Sequence, residues 1–448
     1  MALNQILQSP FAGMLAYEVG ADAYIFGFPL VLMDATRELY ARTSAMNCLT
    51  HARELPDYRC ADLVRPNVDT LYSSGFLDLS QEPMVLHVPE VNGRYCLIQL
   101  MDAWTNIFAS LGTRTTGHKK KRFVIAGPIS RSKVPEGIPA IVSPTNLVYI
   151  SVRTYTSGIE DSSAVQSIQD RYLLSPLQTI DGASDSQVSS LAHDTAAATM
   201  SPLERITRMS PEQFLNRLTT LMKNNPPPLA DANILRGLLS VGIVPGRPIK
   251  FASMKPALAR GLESGCDAGF QQISEEAASL HGKIVNGWQF SEELGRYGTR
   301  YLWRAAVAMS GLGATLPDDI IYARAACDGD GTRLVGSKRY LLQFENGNLP
   351  PVHAFWSLTL YDDKQALVAN PLNRSAIGDR DRLTFNPDGS LTLCIQHNRP
   401  VSDSNWLPAP SDGFSLLLRL YSPGRAALDG SWKPPRIEVV STQAKASA

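Results

Sequence analysis

The sequence has no excess of charge of either sign, because its 448 residues include 42 lysines and arginines and 42 aspartates and glutamates. Charged residues make up 19% of the chain, below the roughly one quarter that is usual in soluble proteins. Nucleic-acid-binding proteins usually carry a basic excess or stripe, and the one basic run here, 118–122, is a short cluster before an apolar segment. We therefore expect no nucleic-acid partner.

Cysteine is scarce, and no two cysteines form a CxxC pair. A chain of this length does not need a disulfide framework, so free thiols in a reducing compartment are expected. The six cysteines are Cys48, Cys60, Cys96, Cys266, Cys327 and Cys394.

The sequence also lacks a long hydrophobic run and an export signal. Residues 1–10 contain no cationic start, no apolar core and no small-residue cleavage site. The most apolar stretch, 24–33, is interrupted by Gly27 and Pro29, and crossing a bilayer takes roughly twenty apolar residues. These absences predict a cytoplasmic protein that is not inserted in a membrane.

The motifs of common cofactor and metal sites are missing. There is no GxSxG, no phosphate-binding GxxxxGK[ST] and no HExxH, and the seven histidines never pair at metal-ligand spacing. A calcium-like run starts at Asp328, but Arg333 and Arg339 stand where a calcium loop needs glycine and a bidentate glutamate. We predict neither a metal nor a cofactor.

Hydrophobic periodicity divides the chain into three parts. Residues 14–40 have helical spacing, and Pro29 should end or kink that helix. Short period-two runs follow between 63 and 156, helical patterns between 201 and 310, and period-two runs again to the end. The predicted domains are 1–156, with N-terminal helices and a first β-domain, 157–310, a linker and helical segment, and 311–448, a second β-domain.

Local signals support this division. Ser210 followed by Pro211 predicts a helix N-cap. The run 391–396 alternates apolar and polar residues, as in a strand with one buried face. The turn Asn386–Gly389 should join it in a hairpin to a strand at 382–385. The predicted fold class is α+β and β-rich, with two β-sandwich or jelly-roll-like domains around a helical segment.

Two stretches resemble a known family. The first runs from Arg65 through Ser74 and continues with Tyr95–Leu100, Asp102–Asn106 and Gly112–Gly117. It resembles the domain of unknown function DUF1254. The second is similar to DUF1214 in order and spacing, and its motifs are Ala354–Asp362, Asn370–Arg374, Ile377–Asp379, Asn405–Pro408 and Arg419–Tyr421.

This resemblance implies a β-sandwich-like first domain and a jelly-roll-like second one. It brings no settled activity, because the family is named for lacking one. Many relatives are exported, and residues 1–10 depart from that pattern. A cytoplasmic member is easier to picture as an enzyme on a pathway intermediate than as an envelope component.

The candidate catalytic residues are Asp69, Tyr72, Asp102 and Arg114, which lie within one stretch of the first domain. A carboxylate base, a tyrosine proton donor and an arginine anion clamp suffice for proton transfer without a cofactor. We expect the four to line one cleft. A structural role competes, because an Asn-x-Asp-Thr run such as 67–70 often caps its own backbone in a turn, and an Asp–Arg pair often ties two loops together.

Other polar and aromatic residues could bind the substrate. Those of the first domain are Asn67, Thr70 and Trp104, and those of the second are Tyr361, Arg374 and Trp406. Aromatic side chains with asparagine and arginine can line a pocket for a hydrophobic or sugar-like ligand. Filling the core is the alternative, and for Trp356 we prefer it.

These observations favour a cofactor-independent acid–base enzyme acting on a largely apolar small molecule. Its most specific form is a dehydrating or isomerising cyclase or lyase in biosynthesis. A hydrolase in which Asp69 or Asp102 activates water is the second enzyme hypothesis. A binding module for carbohydrate, lipid or a protein partner is the alternative from another class. The sequence leaves a homo-oligomer open.

Overall fold

The computed structural model describes residues 11–60, 64–130, 137–179, 188–190, 200–279, 282–291, 293–401 and 405–440, with 179 and 188–190 described by their backbone. In chain order the α-helices of these residues are α1 (Ala12–Tyr40), α2 (Ser162–Gln169), α3 (Pro202–Thr207), α4 (Pro211–Asn224), α5 (Ala232–Ser240), α6 (Pro256–Ser279), α7 (Tyr301–Gly311) and α8 (Arg425–Leu428).

The strands fall before and after the main helical segment. Those of the N-terminal unit are β1 (Leu49–His51), β2 (Thr70–Asp78), β3 (Met84–Val88), β4 (Cys96–Asp102), β5 (Ile107–Gly112), β6 (Lys121–Ala126), β7 (Ala140–Val142), β8 (Leu147–Tyr155), β9 (Leu173–Pro176) and β10 (Val188–Ser190). Those of the C-terminal unit are β11 (Ile284–Val285), β12 (Trp288–Phe290), β13 (Ile320–Ala325), β14 (Tyr340–Phe344), β15 (Val352–Asp362), β16 (Ala376–Gly378), β17 (Leu391–Gln396), β18 (Trp406–Pro408), β19 (Phe414–Pro423) and β20 (Ile437–Val439). The predicted α+β, β-rich class with a helical middle segment is confirmed.

The N-terminal unit consists of two sheets packed face to face. The larger has the order β10-β1-β2-β8-β4-β5 and the smaller the order β7-β6-β3-β9. One apolar cluster joins them, with Ile98 and Ile150 of the large sheet and Leu86 and Phe123 of the small one. Alternating apolar residues therefore build a sandwich core.

The C-terminal unit repeats this plan. Its large sheet has the order β11-β12-β13-β19-β15-β16, and its small sheet the order β18-β17-β14-β20. Leu358 and Leu418 of the large sheet share a cluster with Leu342 and Leu393 of the small one. In β17 the buried and half-buried positions alternate, as the sequence predicts for a strand with one face in the core.

The two large sheets face each other, which is clearest at β19. All ten residues of this strand are buried. Leu416 and Leu418 point into the sandwich core, whereas Leu417 packs near Val68 and Tyr421 packs with Tyr95 of the N-terminal unit. Both faces of β19 are covered, which accounts for its nearly continuous apolar sequence.

A helical layer covers one end of the N-terminal unit, and its central pair is α1 against α6. The backbones of these two helices approach closely at glycines, which repeat at every fourth position of α6 as Gly261, Gly265 and Gly269. A Cβ on Gly265 would lie 2.2 Å from the Tyr17 carbonyl oxygen. Only glycine permits this approach.

The first helix does not end at Pro29, which was one of the two predicted effects of this proline, because α1 continues through it. Proline lacks the N–H that would donate to the carbonyl of Ile25. The surrounding residues are buried, so tertiary packing maintains the helix despite the missing bond. By length and composition α1 could span a membrane, yet 78% of its most apolar 18-residue window is buried inside the protein.

The structure confirms one further local prediction, the helix start at Ser210, and contradicts another, the strand at 382–385. The predicted N-cap at Ser210 is confirmed, because its Oγ accepts from the Gln213 N–H at 3.2 Å. The Gln213 side chain also accepts from the Ser210 N–H, which completes a capping box. The run 382–385 is not a strand, because the Thr384 N–H and carbonyl bond to the Asn405 side chain instead of a neighbouring strand. The segment 157–200 contributes α2 and also β9, which pairs with β3. The boundaries at 156 and 310 stay predictions.

We predict that Gly265→Ala lowers the free energy of unfolding by about 1–3 kcal/mol, because the new methyl group forces α1 and α6 apart. Gly237→Ala in α5 is the matched control, since its Cβ would meet no atom within 4 Å. Replacing a helical glycine by alanine there should stabilise the protein by roughly 0.5–1 kcal/mol. Urea denaturation of both variants measures the difference, and equal effects would contradict the close helix contact.

Candidate functional site

Asp69 is fully buried and joins the two β-units. Its Oδ2 accepts hydrogen bonds from Ser357 Oγ at 2.6 Å and from the Tyr421 hydroxyl at 2.8 Å. Its Oδ1 accepts from the Arg380 guanidinium in an ion pair. Burial raises the pKa of Asp69, but the charges of Arg380 and Arg419 and the two hydroxyl donors outweigh it, so the pKa lies below its ordinary value.

Asn67 organises the turn that precedes β2. Its Oδ1 accepts from the backbone N–H of Asp69 at 2.7 Å and of Thr70 at 3.1 Å. Its Nδ2 donates to the Tyr421 hydroxyl at 2.9 Å. The expected capping role of this asparagine is therefore present, and it directs the Asp69 side chain toward the C-terminal unit.

Asp102 closes a different turn, at the far end of β4. Its Oδ1 accepts from the backbone N–H groups of Trp104 and Asn106, each at 2.9 Å. Burial raises the pKa of Asp102 to about 6, although the hydrogen bonds of Asn106 act in the opposite direction. Trp104 is buried against Phe26, with ring centroids 4.6 Å apart, and so fills the core beneath the helices.

Arg114 also ties the two units together. Its Nε donates to Asp319 Oδ1 at 2.7 Å, and Ser110 Oγ donates to Asp319 Oδ2 at 2.7 Å. Asp319 is 2% exposed, so this half-exposed arginine neutralises a buried carboxylate. The partner lies far along the sequence, in the C-terminal unit.

The expectation that Asp69, Tyr72, Asp102 and Arg114 line one cleft is wrong. Thr70, next to Asp69, pairs with Tyr155 of β8, whereas Asp102 pairs with Val148. Seven residues of strand separate these positions, which corresponds to about 23 Å. The two carboxylates stand at opposite ends of the sheet, because β2 and β4 flank β8 and run past it in the same direction.

A cavity of about 970 Å³ lies between the two large sheets, and we call it the central cavity. Its walls come from residues 52–60 and 64–67, from β2 and β8, from β12, β13 and β19, and from α7. Of the predicted site residues it is lined by Asn67, Thr70 and Tyr72. Asp69, Asp102 and Arg114 are not among its lining residues.

The predicted residues of the C-terminal unit lie outside the lining as well. The Tyr361 hydroxyl donates to the Pro66 carbonyl at 2.8 Å and accepts from Arg419 at 2.7 Å, just behind the cavity wall. Arg374 Nη1 donates to the Trp406 carbonyl at 2.9 Å, and the Trp406 ring is buried. These contacts hold loops and core together.

Tyr72 faces Arg153 across neighbouring strands. The Arg153 guanidinium carbon lies 4.8 Å from the centre of the Tyr72 ring, and Arg153 Nη1 donates to the Tyr322 hydroxyl at 3.4 Å. Burial raises the pKa of Tyr72 above its ordinary value, although the charge of Arg153 lowers it. Burial alone would lower the pKa of Arg153, but the hydroxyls of Tyr72 and Tyr322 raise it. At neutral pH this wall therefore presents phenols beside a cation.

Arginines dominate the charged lining of the cavity. Six arginines line it against two acidic residues, Glu54 and Asp57. Asp57 pairs with Arg59, and Arg53 pairs with Asp170, which is not a lining residue. The other four arginines are contributed by both units and are Arg65, Arg153, Arg324 and Arg419.

A hydroxyl–imidazole pair lies elsewhere in the N-terminal unit. His51 Nδ1 and Ser73 Oγ are 2.7 Å apart, and both residues are fully buried. Burial lowers the pKa of His51 to about 4. Neither residue lines the central cavity. Among the described residues, no group of three His, Cys, Asp or Glu side chains is arranged to hold a metal ion.

The sequence comparisons agree with this two-unit architecture. The family model described as "Protein of unknown function (DUF1254)" matches residues 46–176, and the one described as "Protein of unknown function (DUF1214)" matches residues 319–425. The chain belongs to the DUF1254–DUF1214 family. No curated protein matches it.

Solved structures extend the comparison of this DUF1254–DUF1214 protein to its fold. The VPA0106 protein from Vibrio parahaemolyticus is 23% identical, with a TM-score of 0.71 over 95% of this chain and 100% of that one. An uncharacterized protein from Burkholderia cenocepacia is 12% identical, with a TM-score of 0.45 over 98% and 99% of the two chains. The likeness to the Vibrio protein shows a shared fold over nearly the whole chain.

The arginines of the cavity were missed by sequence reasoning, although a signal exists. In the DUF1254–DUF1214 protein each of Arg153, Arg324 and Arg419 interrupts an apolar strand sequence. A charge at such a position is buried when both faces of the sheet are covered, and a buried charge needs a partner or a ligand. That rule could have selected all three.

We predict that Asp69→Ala lowers the free energy of unfolding by about 3–5 kcal/mol, because it leaves Arg380 buried without its carboxylate. The folded-state pKa lies below the unfolded one, so this contribution is present above about pH 3.9 and is lost as the pH falls through the folded pKa. Denaturation curves at neutral and acidic pH measure it.

Asp330→Ala is the control for this experiment, because Asp330 forms an exposed ion pair with Arg436. Surface pairs contribute roughly 0–1 kcal/mol. Equal stability of the Asp69→Ala variant and the wild type at neutral pH would contradict the structural role of Asp69.

Proposed function

We propose that the protein is a cofactor-independent acid–base enzyme that acts on a small molecule in the central cavity. The observation that carries the proposal is the wall formed by Tyr72, Arg153 and Tyr322, in which two phenols and a guanidinium face one cavity. The reaction class is the lyase or isomerase chemistry expected from the sequence, including dehydration and cyclisation.

These groups are suited to oxygen atoms on which negative charge develops. A guanidinium stays charged at any relevant pH, and a phenol with a raised pKa stays protonated. Both donate hydrogen bonds without needing to reorient when the charge appears, which is the main source of electrostatic catalysis. The strands β2, β8 and β13 hold the three side chains in place.

A dehydration illustrates the use of the site. The Glu54 carboxylate takes the proton next to a substrate carbonyl, and the electron pair of that C–H bond forms an enolate held by Arg153 and Tyr322. The enolate then expels a β-hydroxyl, to which Tyr72 donates its proton, so that water leaves. The proton on Glu54 returns to Tyr72, and the same donors would serve an isomerisation or a cyclisation.

Glu54 is the base in this scheme because it lines the cavity and its carboxylate forms no ion pair with another described residue. Asp57, the other acidic lining residue, is held by Arg59. The hydrolase hypothesis fits less well, because neither Asp69 nor Asp102 lines the cavity. The Asp69 carboxylate accepts from side chains of the C-terminal unit, and the Asp102 carboxylate accepts from its own turn.

We predict that Tyr72→Phe lowers turnover by about a hundred- to ten-thousand-fold, since that is the usual contribution of a positioned acid. In the assay the protein is incubated with β-hydroxy carbonyl compounds that also carry an acid group, or with the corresponding enones. Mass spectrometry then detects the loss of one water from the former or its addition to the latter. The assay also follows exchange of the α-proton in deuterated water by NMR.

Tyr17→Phe is the matched control, because Tyr17 is 43% exposed on α1 and remote from the cavity lining. It should leave turnover unchanged. A Tyr72→Phe variant as active as the wild type would contradict the proposal. Ligands that bind the wild type without reaction or α-proton exchange would favour a binding module.

A further inference from the structure

We propose that the substrate is an organic acid with an apolar body, whose carboxylate or phosphate group binds among Arg65, Arg324 and Arg419. This inference rests on the proposed function for taking the occupant of the central cavity as a substrate. Its evidence is a cluster of arginines that line the cavity and that the proposed reaction steps do not use.

Strand register brings the arginines to one place. Tyr322 pairs with Arg419, and Arg324 pairs with Leu417, so Arg324 and Arg419 lie on the same face of adjacent strands β13 and β19. Arg65 approaches from the N-terminal unit, where its carbonyl accepts from Arg419 Nη2 at 3.4 Å. All three line the cavity.

The cluster lacks a matching negative charge. Within the described part of the chain, no carboxylate pairs with Arg65 or Arg324. The Nε atoms of Arg324 and Arg419 are buried and have no hydrogen-bond partner there. Buried donors of this kind are almost always satisfied in a folded protein, and an oxyanion in the cavity would satisfy them.

Asp69 is the carboxylate whose charge acts on Arg419, and it does not supply the missing partner. One of its oxygens accepts from Arg380, and the other accepts from Ser357 and Tyr421. Arg419 donates instead to the hydroxyls of Thr359 and Tyr361, each at 2.7 Å, and these leave its Nε unused.

Arg65 is held close to like charges. Burial lowers its pKa, and the charges of Arg324 and Arg419 lower it further. Its backbone has φ of 50°, in the left-handed region that a non-glycine residue rarely adopts. The N–H of Arg65 donates to the Gln365 carbonyl at 2.8 Å, which fixes this conformation. Such strain is typical of functional sites.

The remaining wall fits an apolar body. Leu294, Trp303, Val307 and Leu312 line the cavity on the side of α7, and Leu417 lines it beside the arginines. A volume of about 970 Å³ is at the upper end of small-molecule sites, which are roughly 300–1,000 Å³. The cavity therefore matches a molecule that is charged at one end and hydrophobic along its length.

The test measures binding by calorimetry, with octanoate and octyl phosphate as anionic probes and octanamide as the neutral isostere. We expect at least one of the anions to bind about tenfold or more tightly than octanamide, because hydrogen bonds to charged groups are worth at least that ratio. The ranking of the two anions distinguishes a carboxylate site from a phosphate site.

Arg324→Gln should lower the affinity for the anion at least about tenfold and leave the affinity for octanamide unchanged. Arg260→Gln, an exposed arginine of α6 outside the cavity, is the matched control and should change neither. Without ligand, Arg324→Gln should melt at or above the wild-type temperature, since it relieves repulsion. A purely structural role of Arg324 predicts a lower melting temperature.

The inference is overturned if neither anion binds more tightly than octanamide, or if Arg324→Gln leaves anion affinity unchanged. Its failure is distinguishable from failure of the proposed function, because Tyr72→Phe should keep the anion affinity within a few-fold of wild type. If the wild type prefers an anion but Tyr72→Phe has normal turnover, only the proposed function is contradicted. If Tyr72→Phe loses turnover but the wild type shows no preference for an anion, only this inference is contradicted.

Discussion

The buried carboxylate of Asp69 is the contact on which the arrangement of the two β-units depends. It accepts hydrogen bonds from Ser357, Tyr421 and Arg380, all of which belong to the C-terminal unit. Asn67 fixes the turn that presents it. The segment before β2 is therefore docked on the face of β15 and β19, and this docking sets the position of the cavity wall.

The same docking explains the electrostatics of the cavity. Burying the faces of two large sheets against each other would normally select apolar side chains. Here Arg153 and Arg419 are buried on these faces, at 8% and 2% exposure. Burial of charge disfavours folding unless partners compensate it. Asp69 and the surrounding tyrosines compensate part of it, and an anionic ligand would compensate the rest.

Local patterns predicted much of the fold. The alternation in β17 and the N-cap at Ser210 depend on residues that are close in sequence, so both could be predicted directly. The helix through Pro29 could not, because its continuity depends on burial by distant elements. The predicted strand at 382–385 is wrong for a similar reason, because the backbone N–H and carbonyl of Thr384 bond to the side chain of Asn405, which is distant in sequence.

The site was predicted less well, again for a physical reason. Asp69, Asp102 and Arg114 were grouped by sequence distance, but β2 and β4 place the two carboxylates at opposite ends of β8. Arg114 is paired with Asp319, a partner that no local pattern reveals. Tyr72 lines the central cavity without the other three predicted catalytic residues, and its neighbour Arg153 became evident only from the strand register.

A crystal structure of the protein with octanoate would show whether the arginines of the cavity bind a carboxylate. We predict that the carboxylate lies within hydrogen-bond distance of the Arg324 or Arg65 guanidinium, with the alkyl chain against Trp303 and Leu417. A carboxylate bound by Arg53 or Arg59 and out of hydrogen-bond reach of Arg65, Arg324 and Arg419 would contradict this prediction.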